Sequence, residues 1–107
     1  MKYRVHIISD AEEDILDIYK YILFRDSRAN ADAIFDKLKE ACLSLERLPS
    51  RGHVPPELHR VGVYDYLEIH CRPYRIVYQI VGKSVFVHCV LDGRRDLQEH
   101  LRQRLLR

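Results

Sequence analysis

The sequence predicts an α+β domain: an N-terminal strand, an antiparallel helical hairpin packed on one face of a mainly antiparallel sheet, and a short C-terminal helix. Three observations predict it. Apolar residues recur at helical spacing through the first half, the period switches to strict alternation in the second half, and leucines four apart return near the end. A chain of 107 residues fits a single domain spanning 1–107.

Tyr3-Arg4-Val5-His6-Ile7-Ile8 alternates and is rich in β-branched residues, which reads as a strand. Ser9 precedes Asp10-Ala11-Glu12-Glu13 as an expected N-cap with capping-box character. Ala11, Ile15, Ile18 and Ile22 then trace a helix over 10–24. Its acidic run (Asp10, Glu12, Glu13, Asp14, Asp17) reads as dipole complementation and a solvated face, not as a metal site. Ser27 is the expected cap of a second helix over 29–47, with Ile34, Leu38, Ala41, Leu45 and Leu48 on its apolar face. That helix stops at Leu48-Pro49, because a residue before proline is biased away from helical angles.

Residues 49–56, with Gly52 inside, form the one extended loop. Strands follow at 66–71, 74–80 and 85–91, the last two joined at Gly82-Lys83, and a further short strand is expected at 58–63. Asp92-Gly93 ends the last strand, and Leu97, Leu101 and Leu105 mark the C-terminal helix.

Composition narrows the class. With 47% apolar and 32% charged residues the chain is an ordinary globular protein, without a membrane-length apolar run or a signal peptide. A cytoplasmic location and no membrane partner are expected. Cys42, Cys71 and Cys89 are odd in number and make no CxxC, so neither a disulfide framework nor zinc is indicated. His70-Cys71 and His88-Cys89 resemble ligand pairs, but adjacent strand residues point to opposite faces. No metal and no cofactor are implied.

Charge is uneven. Residues 1–71 hold ten basic and thirteen acidic side chains, whereas residues 72–107 hold eight basic and three acidic, seven of the eight being arginine. That asymmetry points either to an anionic partner for the C-terminal third or to a solvated, arginine-rich helix face. Alternation in the strands also assigns faces. If Tyr74, Ile76, Tyr78 and Ile80 lie under the helices, Arg75 and Gln79 point the other way, with Val77 between them. His88 is counted with Phe86 and Val90, and Glu68 with Tyr66 and His70. An uncovered face would gather Arg4, His6, Glu68, His70, Arg75 and His88, the residue types a ribonuclease needs for proton transfer and phosphate binding. A mixed-polarity face with no chemistry fits the same residues.

Three segments together resemble the RelE/ParE superfamily of bacterial toxins. They are Ala11-x-x-Asp14-Ile15-x-x-Ile18-x-x-Tyr21, Tyr74-Arg75-Ile76-Val77-Tyr78-Gln79-Ile80, and Val90-Leu91-Asp92-Gly93-Arg94-Arg95-Asp96-Leu97. The resemblance implies one of two mechanisms: ribosome-dependent cleavage of messenger RNA in the RelE-like branch, or inhibition of DNA gyrase by protein binding in the ParE-like branch. Arg75 and Arg95 match arginines of the ribonuclease branch. Tyr66 and Glu68 stand where that branch carries lysines, and Leu101 where it often carries tyrosine. The Asp92–Leu97 run looks more like the ParE branch.

The resemblance therefore implies a ParE-like gyrase inhibitor, neutralised by a ParD-like antitoxin, and not itself an enzyme. Its expected target-binding residues are Arg75, Arg94, Arg95, Arg102 and Arg104, with the segment running on to Arg107. Tyr19, Tyr21 and Phe24 are the expected antitoxin contacts, since an antitoxin segment would lay an amphipathic helix on apolar surface. Under the RelE-like alternative the catalytic set would be Arg75, His88, Glu68, His70 and Arg95, acting on ribosome-bound messenger RNA. A non-toxic relative that only binds an antitoxin is the third reading.

Overall fold

The computed structural model describes residues 2–106, so the Arg107 end of the expected target-binding segment lies outside the described residues. Strand β1 (Arg4–Ile7) leads into helix α1 (Ser9–Arg25) and helix α2 (Arg28–Leu43). Two 3-10 turns (Ser44–Glu46 and Pro49–Arg51) and a one-turn helix α3 (Pro56–His59) follow. Strands β2 (Leu67–Cys71), β3 (Tyr74–Val81) and β4 (Ser84–Asp92) precede helix α4 (Gln98–Leu105). The sheet order is β1-β4-β3-β2, with β1 parallel to β4 and the other pairs antiparallel. The α+β class and the helical hairpin are as the sequence predicts.

Local chemistry explains most boundaries. The Ser27 hydroxyl accepts from the Asn30 amide at 3.1 Å and caps α2 as expected. Ser9 is not a cap: it is the first residue of α1, whose N-cap position is Ile8, and Asp10 and Glu12 face the positive helix end instead. The α2 segment tightens into a 3-10 turn at Ser44, short of the predicted end, and Leu48 takes a left-handed φ of 49° before Pro49. Residues 58–63 are not a strand. Proline at the first turn starts α3 there, and the chain then turns at Gly62, whose φ is +74°.

One face of the sheet packs under the hairpin: Ile76, Tyr78, Val85, Val87 and Val90 against Ala11, Ile15, Leu38, Cys42 and Leu45. The other face is not open, contrary to the expectation. Val77, Cys89 and Leu91 are covered by Leu58 of α3 and by Leu97 and Leu101 at the last helix. The alternation also slips once. Val77 pairs with Cys89 but Tyr78 pairs with Val87, so His88 is the extra residue of a β-bulge. Val90 therefore joins Val85 and Val87 under the hairpin, and does not share a face with Phe86 as simple counting predicts.

Candidate functional site

Of the six polar residues expected on one face, the structure brings together three. Glu68 and His70 lie two apart on β2, and Arg75 stands opposite His70 on β3. Arg75 donates through Nε to Glu68 Oε1 at 2.6 Å. Its two terminal nitrogens grip Glu57 bidentately at 2.8 and 2.7 Å. Glu57, Glu68 and Arg75 are 7%, 1% and 8% exposed, so the guanidinium is enclosed. The Glu57 hydrogen bonds hold Arg75 more firmly protonated than usual, and the same contact pulls the Glu57 carboxyl below its ordinary range. Glu57 was not visible as a site residue in the sequence; only the turn made by Pro55 and Pro56 brings it under Arg75.

Gly93 explains why two of the distant motifs belong together. A Cβ at Gly93 would lie 2.7 Å from the Arg75 side chain and 3.0 Å from the Pro73 carbonyl oxygen, to which the Gly93 amide donates at 2.8 Å. The end of β4 rests on the aliphatic stem of Arg75, and only glycine fits.

The remaining expected residues lie elsewhere. Arg4 and His6 are exposed at the far edge strand, where His6 stacks on Phe86 at 4.9 Å. His88 packs edge-on to Tyr66, its buried Nε2 without a hydrogen-bond partner among the described residues. Burial, then the nearby Arg104 charge, lower the His88 pKa, so the ring is held neutral. Arg104 is no surface residue either. It takes both Asp14 oxygens at 3.0 Å and the His88 carbonyl at 2.9 Å. Asp14 also accepts from the Val90 amide at 2.9 Å, so one acidic residue of α1 fastens the bulge and the last helix. Cys42 and Cys89 are buried thiols pushed up to about 12, chiefly by desolvation.

The exposed residues form a different surface. Arg94, Arg95 and Arg102 are exposed; Arg94 pairs with Asp92 at 2.7 Å and Arg102 with Glu99. Asp96 accepts from the Gln98 amide at 3.0 Å and so helps start α4. Tyr21 and Phe24 are 61% and 84% exposed. Tyr19 is instead part of the hairpin, donating to Asp32 at 2.7 Å and meeting Phe35 edge-on. Tyr21, Tyr74 and Arg94 line two adjoining grooves, one running along Arg25, Ala33 and Lys37, the other along Ile18, Arg95 and His100. Tyr21, Arg94 and Arg95 thus share one surface, although α1 and the turn after β4 are far apart in sequence.

The architecture is thus a strand, a helical hairpin and a mixed four-stranded sheet that ends in an arginine-bearing turn. Over residues 5–97 the sequence matches the family described as ParE toxin of type II toxin–antitoxin system, parDE, and the chain belongs to that family. No curated protein matched the sequence. Among solved structures, the chain is similar to one of the chromosomal ParDE system from P. aeruginosa. That match has a TM-score of 0.68 and 14% identity over 83% of this chain and 94% of the other. It is also similar to one of the RelBE2 toxin–antitoxin complex from Mycobacterium tuberculosis, with a TM-score of 0.63 and 20% identity over 86% and 92%. At these identities the likeness speaks for the fold. No helix among the described residues is long and apolar enough to cross a membrane.

Proposed function

We propose that this ParE-type toxin acts by binding DNA gyrase through its exposed arginines, and not by cleaving RNA. The observation that carries this is the enclosure of Arg75. Three of its N–H groups are committed to Glu57 and Glu68. A phosphate would have to displace two buried carboxylates from it and sit beside their negative charge. Nor does His88 reach that cluster; it lies at the bulge beside Arg104. Of the set Arg75, His88, Glu68, His70 and Arg95, only Glu68, His70 and Arg75 come together, and the arginine among them is already taken by carboxylates. Arg94, Arg95 and Arg102 remain for the target, while Arg75 and Arg104 support the fold.

The antitoxin reading uses the paired grooves. Tyr21 and Tyr74 line both grooves, and Arg25, Lys37, Arg94 and Arg95 set positive charge among Asp14, Asp17, Asp26 and Asp92, which suits an amphipathic segment of mixed charge; exposed Phe24 stands three residues beyond Tyr21 on α1. A ParD-like antitoxin is the expected donor of that segment. Tyr19 is left out of this surface by its bond to Asp32.

The test is supercoiling by purified gyrase with added toxin. Inhibition with accumulation of cleaved DNA, weakened in Arg94→Ala and Arg95→Ala and reversed by antitoxin, is the expected result. Unchanged supercoiling at high toxin excess, with messenger RNA cut in a translating extract, would transfer the function to the ribosome.

A further inference from the structure

The Arg75 cluster carries two buried carboxylates against one guanidinium, and two imidazoles stand against the outer carboxylate oxygen of Glu68. Glu68 presents Oε1 to Arg75 and turns Oε2 outward. His53 Nε2 lies 3.0 Å and His70 Nε2 lies 3.6 Å from that single oxygen. The three ligand atoms all fall within 4.8 Å of one another. From this geometry we propose that His53, Glu68 and His70 form a binding site for a divalent transition cation, Zn²⁺ being the best match.

The backbone, not chance side-chain placement, assembles the three. His53 and Glu68 exchange amide-to-carbonyl hydrogen bonds in both directions, at 3.2 and 2.7 Å, pinning the loop to β2. Gly52 makes that approach possible: a Cβ there would come within 2.7 Å of the Glu68 carbonyl oxygen. His70 then shares the Glu68 side of the strand because it is two residues further on.

Ligand chemistry selects the cation. Two imidazoles and one carboxylate favour a borderline metal such as Zn²⁺ over the oxygen-seeking Mg²⁺ and Ca²⁺. Metal–ligand bonds of about 2.0–2.1 Å at tetrahedral angles place neighbouring ligand atoms roughly 3.3 Å apart. The two distances to Oε2 straddle that value, and both imidazoles stand on side chains exposed enough to adjust. Arg75, fixed in turn by Glu57, orients the carboxylate as an outer partner of a metal ligand does. A cation would also neutralise the surplus charge of the cluster, and the exposed histidines leave the remaining coordination positions facing solvent.

The experiment is calorimetric titration of the untagged full chain with Zn²⁺, repeated on His53→Ala and His70→Ala. Both histidines are partly exposed, so neither substitution threatens the core; circular dichroism of each variant verifies this. One equivalent of saturable binding, weakened by about tenfold or more in each variant, is the expected result. No saturable binding, or a loss smaller than that in either variant, overturns the proposal. The Co²⁺ complex supplies a second readout. Visible absorption of the tetrahedral kind should appear with the parent protein and be absent from both variants; a spectrum unchanged by the substitutions counts against the site.

Discussion

Arg75 and Arg94 are both held by carboxylates, but their side chains are 10% and 72% exposed, and the difference separates an enclosed ion pair from a solvated one. Around Arg75 the charges are already out of water, so each partner depends on the other two. Around Arg94 the ion pair with Asp92 sits in solvent, where it adds little to stability and can be traded for a partner's carboxylate or phosphate. The same residue type is thus locked inside the molecule at Arg75 and left in solvent at Arg94, the side chain proposed above for the target.

The strongest way to break this contrast is Arg75→Ala. It leaves Glu57 and Glu68 buried and uncompensated, and should destabilise the fold by about 3–5 kcal/mol in urea unfolding. Loss of toxicity in that variant would follow from unfolding, whereas a fully stable variant would show that the cluster tolerates an unpaired charge. Asp14→Ala comes next. It strips Arg104 of its carboxylate and the Val90 amide of its acceptor, for about 1–3 kcal/mol by the same measurement.

Acid should reach two groups inside the fold in order. His88 titrates below its ordinary value of 6.5 in the fold, so the unfolded chain takes up the proton first. Its contribution is complete above 6.5 and is lost as the pH falls through that value to the lower one of the folded state. Glu57, pulled below its ordinary 4.5 by Arg75, adds a second loss that begins as the pH falls through 4.5. Urea midpoints measured from pH 8 to 3 should decline in those two steps; flat midpoints across the upper one would mean that His88 is not held neutral. The smallest effect belongs to the exposed side. Arg94→Ala and Arg95→Ala should leave the thermal midpoint where it was while weakening the proposed inhibition of gyrase, and a large drop in the midpoint would erase the contrast with Arg75.

How far the sequence could be read depended on the range of the interaction involved. Ser27 signalled its helix because a hydroxyl three residues before an amide is local chemistry. The predicted strand at 58–63 failed because the prolines at 55 and 56 begin a turn of helix there, and that turn is stabilised by Leu58 packing beside Leu101. Val90 was counted onto the wrong face because alternation assumes an unbroken ladder, and a bulge depends on pairing with another strand. Arg75, Glu68 and His70 were expected on one face, though not as an ion-paired cluster; Glu57, His53 and Gly93 were not expected there, since only the folded loops bring them in.

Periodicity, turn residues and charge asymmetry by themselves determined that this chain is an α+β domain with a helical hairpin and an arginine-rich end, because each reflects interactions between residues close in sequence. Only the tertiary structure decided which arginines are enclosed and which face outward. Burial and ion pairing depend on contacts between segments far apart in the chain: α3 over β3, Asp14 against α4, and the loop at His53 against β2.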